Sequence, residues 1–460
     1  MIITDGLLAA AARAPTKIAV LCGGRCLTYA DFAREVERLA PRFAGTRRIA
    51  VVLRNNPDLL AVLLAGVRAG ATVMVLDPAW PSDTLKRIAA THTPDDVIAD
   101  PRDVPVAERP LQLPDADAQF LMGFTSGTTG TPKTFVRTHA SWQATFAAAR
   151  REFGDLAAGG VLAPGPLCHS LTLYAAIEAL EAGGTVFLQP EFDVESCIDL
   201  LRSGRAQSLV CVPSMLDLLC AAATTPVSVA FAVVCAGAKL STSLRQIVAA
   251  KFPNARVFEY YGASELSFVT VAHPDDYPPP DSVGRAFDSV RIAIRRDDGT
   301  DVTTGEVGTV WVQSPMTSDG YVGPTDGTGF RQAGGWATVG DRGHLDAAGF
   351  LYLVGRENEM LISGGLNMYP QEIESVLASV PGVRAVAVIG IPDARWGQIV
   401  GAVVEGDRAR ADLLVACEGA LPRTKWPRRW FTIAAMPRTT SGKIARAKLS
   451  EMLPTLEALP

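Results

Sequence analysis

Two continuous apolar runs, residues 49–53 and 71–76, have the pattern of strands buried on both faces. Between them, residues 57–69 carry apolar side chains at helical spacing, and residues 81–90 repeat that spacing before a short strand at 96–99. Upstream, residues 17–28 predict a hairpin turned at Gly23-Gly24. Thr28 with Asp31 matches a capping box that opens a helix running to about Phe43. Further strands are expected at 121–124, 184–188, 208–212 and 233–235, and helices at 139–151 and 171–180. Strands alternating with helices imply βαβ units and a parallel sheet. Residues 290–313 break into short β segments around turn glycines, which predicts a small β subdomain. Pro370 opens a helix with Ile373, Val376, Leu377 and Val380 on one face, followed by strands at 386–391 and 399–405 and a helix at 411–421. The expected fold is α/β. A large N-terminal domain, residues 1–356, holds parallel-type βαβ sheets and the small β subdomain, and residues 357–460 form a small α+β domain.

Composition narrows the function classes. The 460 residues are 48% hydrophobic and 20% charged, enough core for more than one domain. A net charge of −5 argues against a general nucleic-acid binder. The eight cysteines are scattered without metal-ligand spacing, as expected of reduced thiols in a cytoplasmic protein. The N-terminal stretch lacks a basic start and a long apolar core, and the longest apolar run, 59–67, is too short for a membrane span. The expectation is a soluble cytoplasmic protein.

The candidate chemistry starts at residues 124–133, FTSGTTGTPK. Five hydroxyl side chains, two glycines and a terminal lysine suit an anion held in a nest of backbone N–H groups. A nucleoside-triphosphate P-loop frame fails here, because Pro132 stands where the second glycine must be and has no N–H for a phosphate.

FTSGTTGTPK resembles the phosphate-binding signature of the adenylate-forming superfamily, and most of the remaining chain resembles its acyl- and aryl-CoA ligases. The resemblance implies ATP, Mg²⁺ and CoA as reactants. It implies a small carboxylic acid as substrate, with a carrier protein or an amine as alternative acceptor. It assigns Thr125, Ser126, Gly127, Thr128, Thr129, Gly130 and Lys133 to the nucleotide phosphates, and Gly237 with Ala238 to the adenine ring. Tyr261-Gly262-Ala263-Ser264-Glu265 resembles the family's YGxTE, with Ser264 for threonine; Tyr261 would stack on adenine and Glu265 would hold Mg²⁺. Asp341 and Arg356 would bind the ribose hydroxyls, and Asn358 would be the hinge of a mobile C-terminal domain. Gly364 and Gly365 would let the pantetheine arm pass, and Trp396 would lie beside CoA, near the basic cluster Arg423, Lys425, Arg428 and Arg429. Lys443, in a Ser-Gly-Lys loop, would bridge the acid's carboxylate and the α-phosphate. His169, Trp142 and Cys235 would line the acid pocket, His169 also guarding the thiol's approach.

Overall fold

The structure is a computed structural model that describes residues 1–125, 133–323, 329–363, 366–393, 395–439 and 442–459. Its largest sheet has nine strands. Six are parallel: Ile18–Cys22, Thr185–Leu188, Gly160–Ala163, Ser208–Cys211, Phe231–Cys235 and Ala255–Ala263. Antiparallel strands close both edges, Arg25–Thr28 on one side and Ser267–Ala272 with Arg285–Ala286 on the other. A second sheet sets Asp96–Ile98, Arg48–Val51, Thr72–Val75 and Gln119–Thr125 in parallel. It then adds Lys133–Thr138 and Gly320–Tyr321 antiparallel.

The Pro57–Arg68 helix belongs to the apolar core between these sheets, and every residue from Leu59 to Val67 is buried. The longest apolar run is therefore core, and among the described residues no helix is long and apolar enough to cross a membrane. The Gly23-Gly24 hairpin and the Thr28 cap form as expected; Thr28 Oγ1 accepts the Asp31 N–H at 3.1 Å. All eight cysteines are free thiols, six of them buried.

Two expectations change. The strand Lys133–Thr138 was absent from the sequence pattern, yet it returns from the glycine-rich segment to pair with Gln119–Thr125. The β subdomain is also larger than residues 290–313. Its six strands run from Arg291–Arg295 to Leu351–Arg356. Gly308–Gln313 pairs with Arg291–Arg295 on one side and with Trp336–Thr338 and Asp341–Leu345 on the other. Such pairing joins residues as far apart as Gly308 and Gly343, beyond the reach of local periodicity.

Residues beyond 356 build a separate sheet, Val383–Asp393, Gly397–Gly406, Arg429–Thr432 and Glu457–Ala458, with apolar cores of their own on its faces. The Pro370–Ala378 helix buries Ile373 and Leu377 there.

One buried group makes the stability of the N-terminal part depend on pH. His139, 1% exposed, stacks on Phe120 at 5.0 Å and accepts the Ile3 N–H at Nδ1, 3.2 Å away. Burial pushes its pKa from 6.5 down to about 4, with Asp5 opposing the shift. Between those values the unfolded chain binds the extra proton, so stability is present above pH 6.5 and is lost as pH falls toward 4. The full shift corresponds to at most about 3 kcal/mol. His139→Phe is expected to remove this component. Urea midpoints of the two proteins should diverge between pH 6.5 and 4; parallel profiles would refute the assignment.

Candidate active site

The nucleotide motifs gather where strands of both sheets end. Thr125 and Lys133 close the hairpin around the glycine-rich segment, with Thr125 Oγ1 donating to the Lys133 carbonyl at 3.5 Å. Lys133 Nζ lies 5.7 Å from the centre of the Tyr321 ring. Ser126, Gly127, Thr128, Thr129, Gly130, Gly364 and Gly365 lie outside the described residues.

The strand Ala255–Ala263 carries Tyr261 and Gly262 to this edge, and the chain then turns back tightly into Ser267–Ala272. A Cβ on Gly262 would sit 2.0 Å from the Ser267 carbonyl, so only glycine fits. Ser267 itself holds φ +60°, the left-handed region that non-glycine residues seldom adopt. Glu265 follows, 5% exposed. Its Oε1 accepts the Tyr321 hydroxyl at 2.7 Å, and its carbonyl accepts the Ser318 N–H at 2.7 Å. Oε2 has no hydrogen-bond partner among the described residues. One carboxylate oxygen held and the other available fits Mg²⁺, which takes one or two carboxylates together with substrate phosphates.

Arg137 braces this turn from below. It is fully buried, donating to Ser141 Oγ, to the Ser264 carbonyl at 3.1 Å and to the Met316 carbonyl at 2.6 Å. Burial lowers its pKa to about 10, while Asp319, Tyr174 and Glu265 oppose that shift. The Ser264 hydroxyl accepts a hydrogen bond from Ser170 at 3.1 Å.

Gly237 and Ala238 are exposed at the end of Phe231–Cys235, and Gly237 adopts φ +90°. The turn is fixed by Glu259, which accepts the Leu240 N–H at 2.8 Å and pairs with Lys239 and Arg245.

Asp341 joins two other expected residues. Its Oδ2 accepts the Tyr261 hydroxyl at 2.5 Å, and Arg356 donates to Oδ1 at 2.6 Å and to Oδ2 at 3.3 Å. Asp341 and Arg356 face each other because their strands pair in register. The next turn, Glu357–Glu359, is held from two sides. Glu357 accepts from Thr309 at 2.9 Å and pairs with Arg331 at 2.9 Å, whereas Glu359 accepts from Gln371. Asn358 lies between these anchors.

Lys443 reaches this group from the C-terminal unit. Its loop docks on the N-terminal part through Gly442, whose carbonyl accepts the Ser214 hydroxyl at 3.5 Å. Lys443 is accessible to solvent, yet protein surrounds it on most sides, as in a cleft. Burial holds its ammonium pKa below the usual range, Arg356 adds to the shift, and Glu359, Asp341 and Glu265 oppose it.

The other expected residues are dispersed. Trp396 stands at the turn between Val383–Asp393 and Gly397–Gly406, with the Arg428 guanidinium 4.2 Å from its ring centre. The basic cluster does not act as one patch: Lys425 pairs with Glu372 at 2.6 Å, and Arg423 lies over Trp426. His169 precedes the Ser170–Ala182 helix, and its ring, the Cys168 thiol and the Asp77 carboxylate lie within 4.8 Å of one another. Burial, then Asp77, push the Cys168 thiol up to about 12, so it stays protonated and is no nucleophile.

The helix that follows His169 borders a cavity of about 500 Å³, lined by Phe146, Leu171, Tyr174, Val234, Tyr260 and Phe268 among others. Trp142 and Cys235, expected in the acid pocket, are packed into apolar core instead. Trp142 is 3% exposed against Phe120, Phe146 and Tyr174, and Cys235 is fully buried beside Cys211. Strand alternation turns Val234, the neighbour of Cys235, to the cavity. Tyr321, Arg137 and Ser170 were not singled out from sequence. Tyr321 is 56 positions from its partner Glu265, and no local signal links them.

A family model described as AMP-binding enzyme matches residues 7–322, and one described as AMP-binding enzyme C-terminal domain matches residues 372–443. A Bacillus subtilis protein described as the uncharacterized acyl–CoA ligase YhfT is 35% identical, with 98% of each chain covered. ATP-bound MatB from Rhodopseudomonas palustris superposes with a TM-score of 0.86 at 25% identity, covering 98% of this chain and 99% of MatB. An amide bond synthetase, McbA from Marinactinospora thermotolerans, superposes with a TM-score of 0.85 at 25% identity, covering 98% of this chain and 100% of the synthetase.

Proposed function

The chain belongs to the AMP-binding enzyme family, and we propose that it is an AMP-forming acid–CoA ligase. The observation that carries this reading is the convergence of Lys443 from the C-terminal unit with Glu265, Asp341 and Arg356 of the N-terminal part. In the first half-reaction the acid's carboxylate attacks the α-phosphate of ATP, forming acyl-adenylate and releasing pyrophosphate. Lys443 lies between the two anions and offsets their repulsion with a charge already in position. Asp341 accepts from the ribose hydroxyls, the Tyr261 ring stacks on adenine, and Gly237-Ala238 bounds the ring edge. The glycine-rich segment and Lys133 hold the phosphates. Glu265 would hold Mg²⁺, which would neutralise phosphate charge. His169, two residues before the cavity-lining Leu171, would sit beside the acid's carboxyl group.

In the second half-reaction CoA's thiol displaces AMP. Domains 1–356 and 357–460 turn about Asn358, between the separately anchored Glu357 and Glu359, which withdraws Lys443 and brings Gly364-Gly365 to the thiol. Trp396 and Arg428 receive CoA on the C-terminal domain.

The test is product release with Mg²⁺ and ATP over fatty, benzoic, cinnamic and amino acids, each with and without CoA. AMP formed in step with thioester is expected. Pyrophosphate exchange indifferent to CoA would move the acceptor to a carrier protein or an amine, and the likeness to an amide bond synthetase favours the amine as that second reading. ADP as product would overturn the reading. Trp396→Ala is expected to raise the KM for CoA about tenfold, the loss of roughly one aromatic stacking contact with its adenine. Pyrophosphate exchange should stay unchanged; an unaltered KM for CoA would remove Trp396 from the thiol side.

A further inference from the structure

The 500 Å³ cavity runs along one face of the Ser170–Ala182 helix, whose Leu171, Tyr174, Ala175, Glu178, Glu181 and Ala182 all line it. Its opposite wall is the large sheet, through Ser208, Val210, Val234 and Tyr260. One end adjoins the nucleotide site, because Leu171 follows Ser170, which bonds Ser264, and Tyr260 precedes Tyr261. The other end lies beside Arg150 and residues 154–158.

The walls are largely apolar, but two polar groups stand partway along without complete partners. Glu178 Oε1 accepts the Tyr174 hydroxyl at 3.0 Å. Among the described residues, Glu178 Oε2 and the Tyr260 hydroxyl take part in no hydrogen bond, and no cation pairs with Glu178. Protein encloses both side chains, yet both keep accessible surface, which the cavity supplies. Burial pushes the Glu178 carboxyl up to about 8, so near neutral pH it is an uncharged acid that both donates and accepts. Polar groups turned into an apolar cavity are costly unless a ligand completes them. Seven helical residues separate Leu171 from Glu178, a rise of ~10 Å. With ~1.3 Å advance per carbon from a ~1.5 Å bond, that is roughly eight chain atoms from the reacting end.

We infer that Glu178, oriented by Tyr174 and facing Tyr260, selects carboxylic acids whose apolar tail carries a hydroxyl group about eight atoms from the carboxyl, in preference to the plain acids. This rests on the reading that the protein adenylates an acid whose tail occupies the cavity. A neutral hydroxyl suits a neutral carboxyl and a phenol, each of which gives one hydrogen bond and takes another. An apolar tail of the same length leaves both groups unmatched and is rejected for that reason.

The experiment compares AMP release by the whole enzyme with Mg²⁺, ATP and CoA on matched pairs: decanoate with 8-hydroxydecanoate, and 5-phenylpentanoate with 5-(4-hydroxyphenyl)pentanoate. The hydroxylated member of at least one pair is expected to have a kcat/KM tenfold or more higher. Glu178→Leu should bring the two members together or reverse their order while it still turns over the plain acid. Tyr174→Phe, which removes only the orienting hydroxyl, should narrow the ratio and provides the test if Glu178→Leu does not fold. Equal kcat/KM within both pairs, a preference for the corresponding 8-aminodecanoate, or a ratio unmoved by either variant overturns the inference and leaves the ligase reading standing. No AMP from any acid overturns the ligase reading, and the inference with it.

Discussion

Lys443→Ala is expected to slow acyl-adenylate formation by about 10²–10³-fold, the usual loss when one preorganised charge-stabilising group is removed. The same variant should convert supplied acyl-adenylate and CoA to thioester at close to the normal rate. The asymmetry follows from geometry. Lys443 comes within electrostatic reach of Glu265, Asp341 and Arg356 because its loop docks on the N-terminal part through Gly442 and Ser214. The depressed ammonium pKa reflects burial and the neighbouring Arg356, both conditions that two approaching anions relieve. Thioester formation needs no such bridge, since the acyl group has already been activated. Single-turnover assays of each half-reaction decide the matter. Equal loss in both would show that Lys443 supports the fold or both chemistries, not the first step alone.

Asp341→Ala is expected to raise the KM for ATP by at least about a hundredfold. Two hydrogen bonds to an ionised carboxylate are lost at about 1.5–3 kcal/mol each. The variant also strips Tyr261 and Arg356 of their shared partner. The Arg356 side chain is 38% exposed, so water screens part of its charge and the stability cost should stay near 1–2 kcal/mol. The double variant Asp341→Ala/Arg356→Met separates the two roles. It should recover much of the lost stability, measured by urea midpoint, without restoring ATP affinity. If affinity returns with stability, Asp341 acts by holding Arg356 and not by binding ribose.

The motifs that suggest a site are legible wherever their residues are contiguous. Thr125 to Lys133, Tyr261 to Glu265 and the Gly442-Lys443 pair each announce themselves in a few positions, because a turn needs glycine and a charge at fixed offsets. Partners drawn from distant segments were not legible. Tyr321 reaches Glu265 from a two-residue strand with no periodicity of its own. Arg137 looked like an ordinary basic residue, and only the turn at Ser264 and Met316 shows why a charge is buried there. Lys425 reads from sequence as one of a basic cluster, whereas its partner Glu372 lies 53 positions away. Trp142 and Cys235 carried the right chemistry for a pocket but face the core, because one step along a strand or half a helical turn reverses the direction of a side chain.

The sequence by itself determined the α/β alternation, the separate α+β unit after residue 356 and the glycine-containing segments proposed to hold a nucleotide. These follow from burial patterns and backbone freedom that act within about ten residues of chain. Tertiary structure alone decided that Tyr261, Asp341 and Arg356 share one carboxylate, that Lys443 faces them from another unit, and that Glu178 and Tyr260 look into one cavity. The physical reason is that convergence depends on strand register and on how sheets and helices stack. Both are fixed by pairings across tens to hundreds of residues, so a side chain's partners are settled only when the whole core is packed.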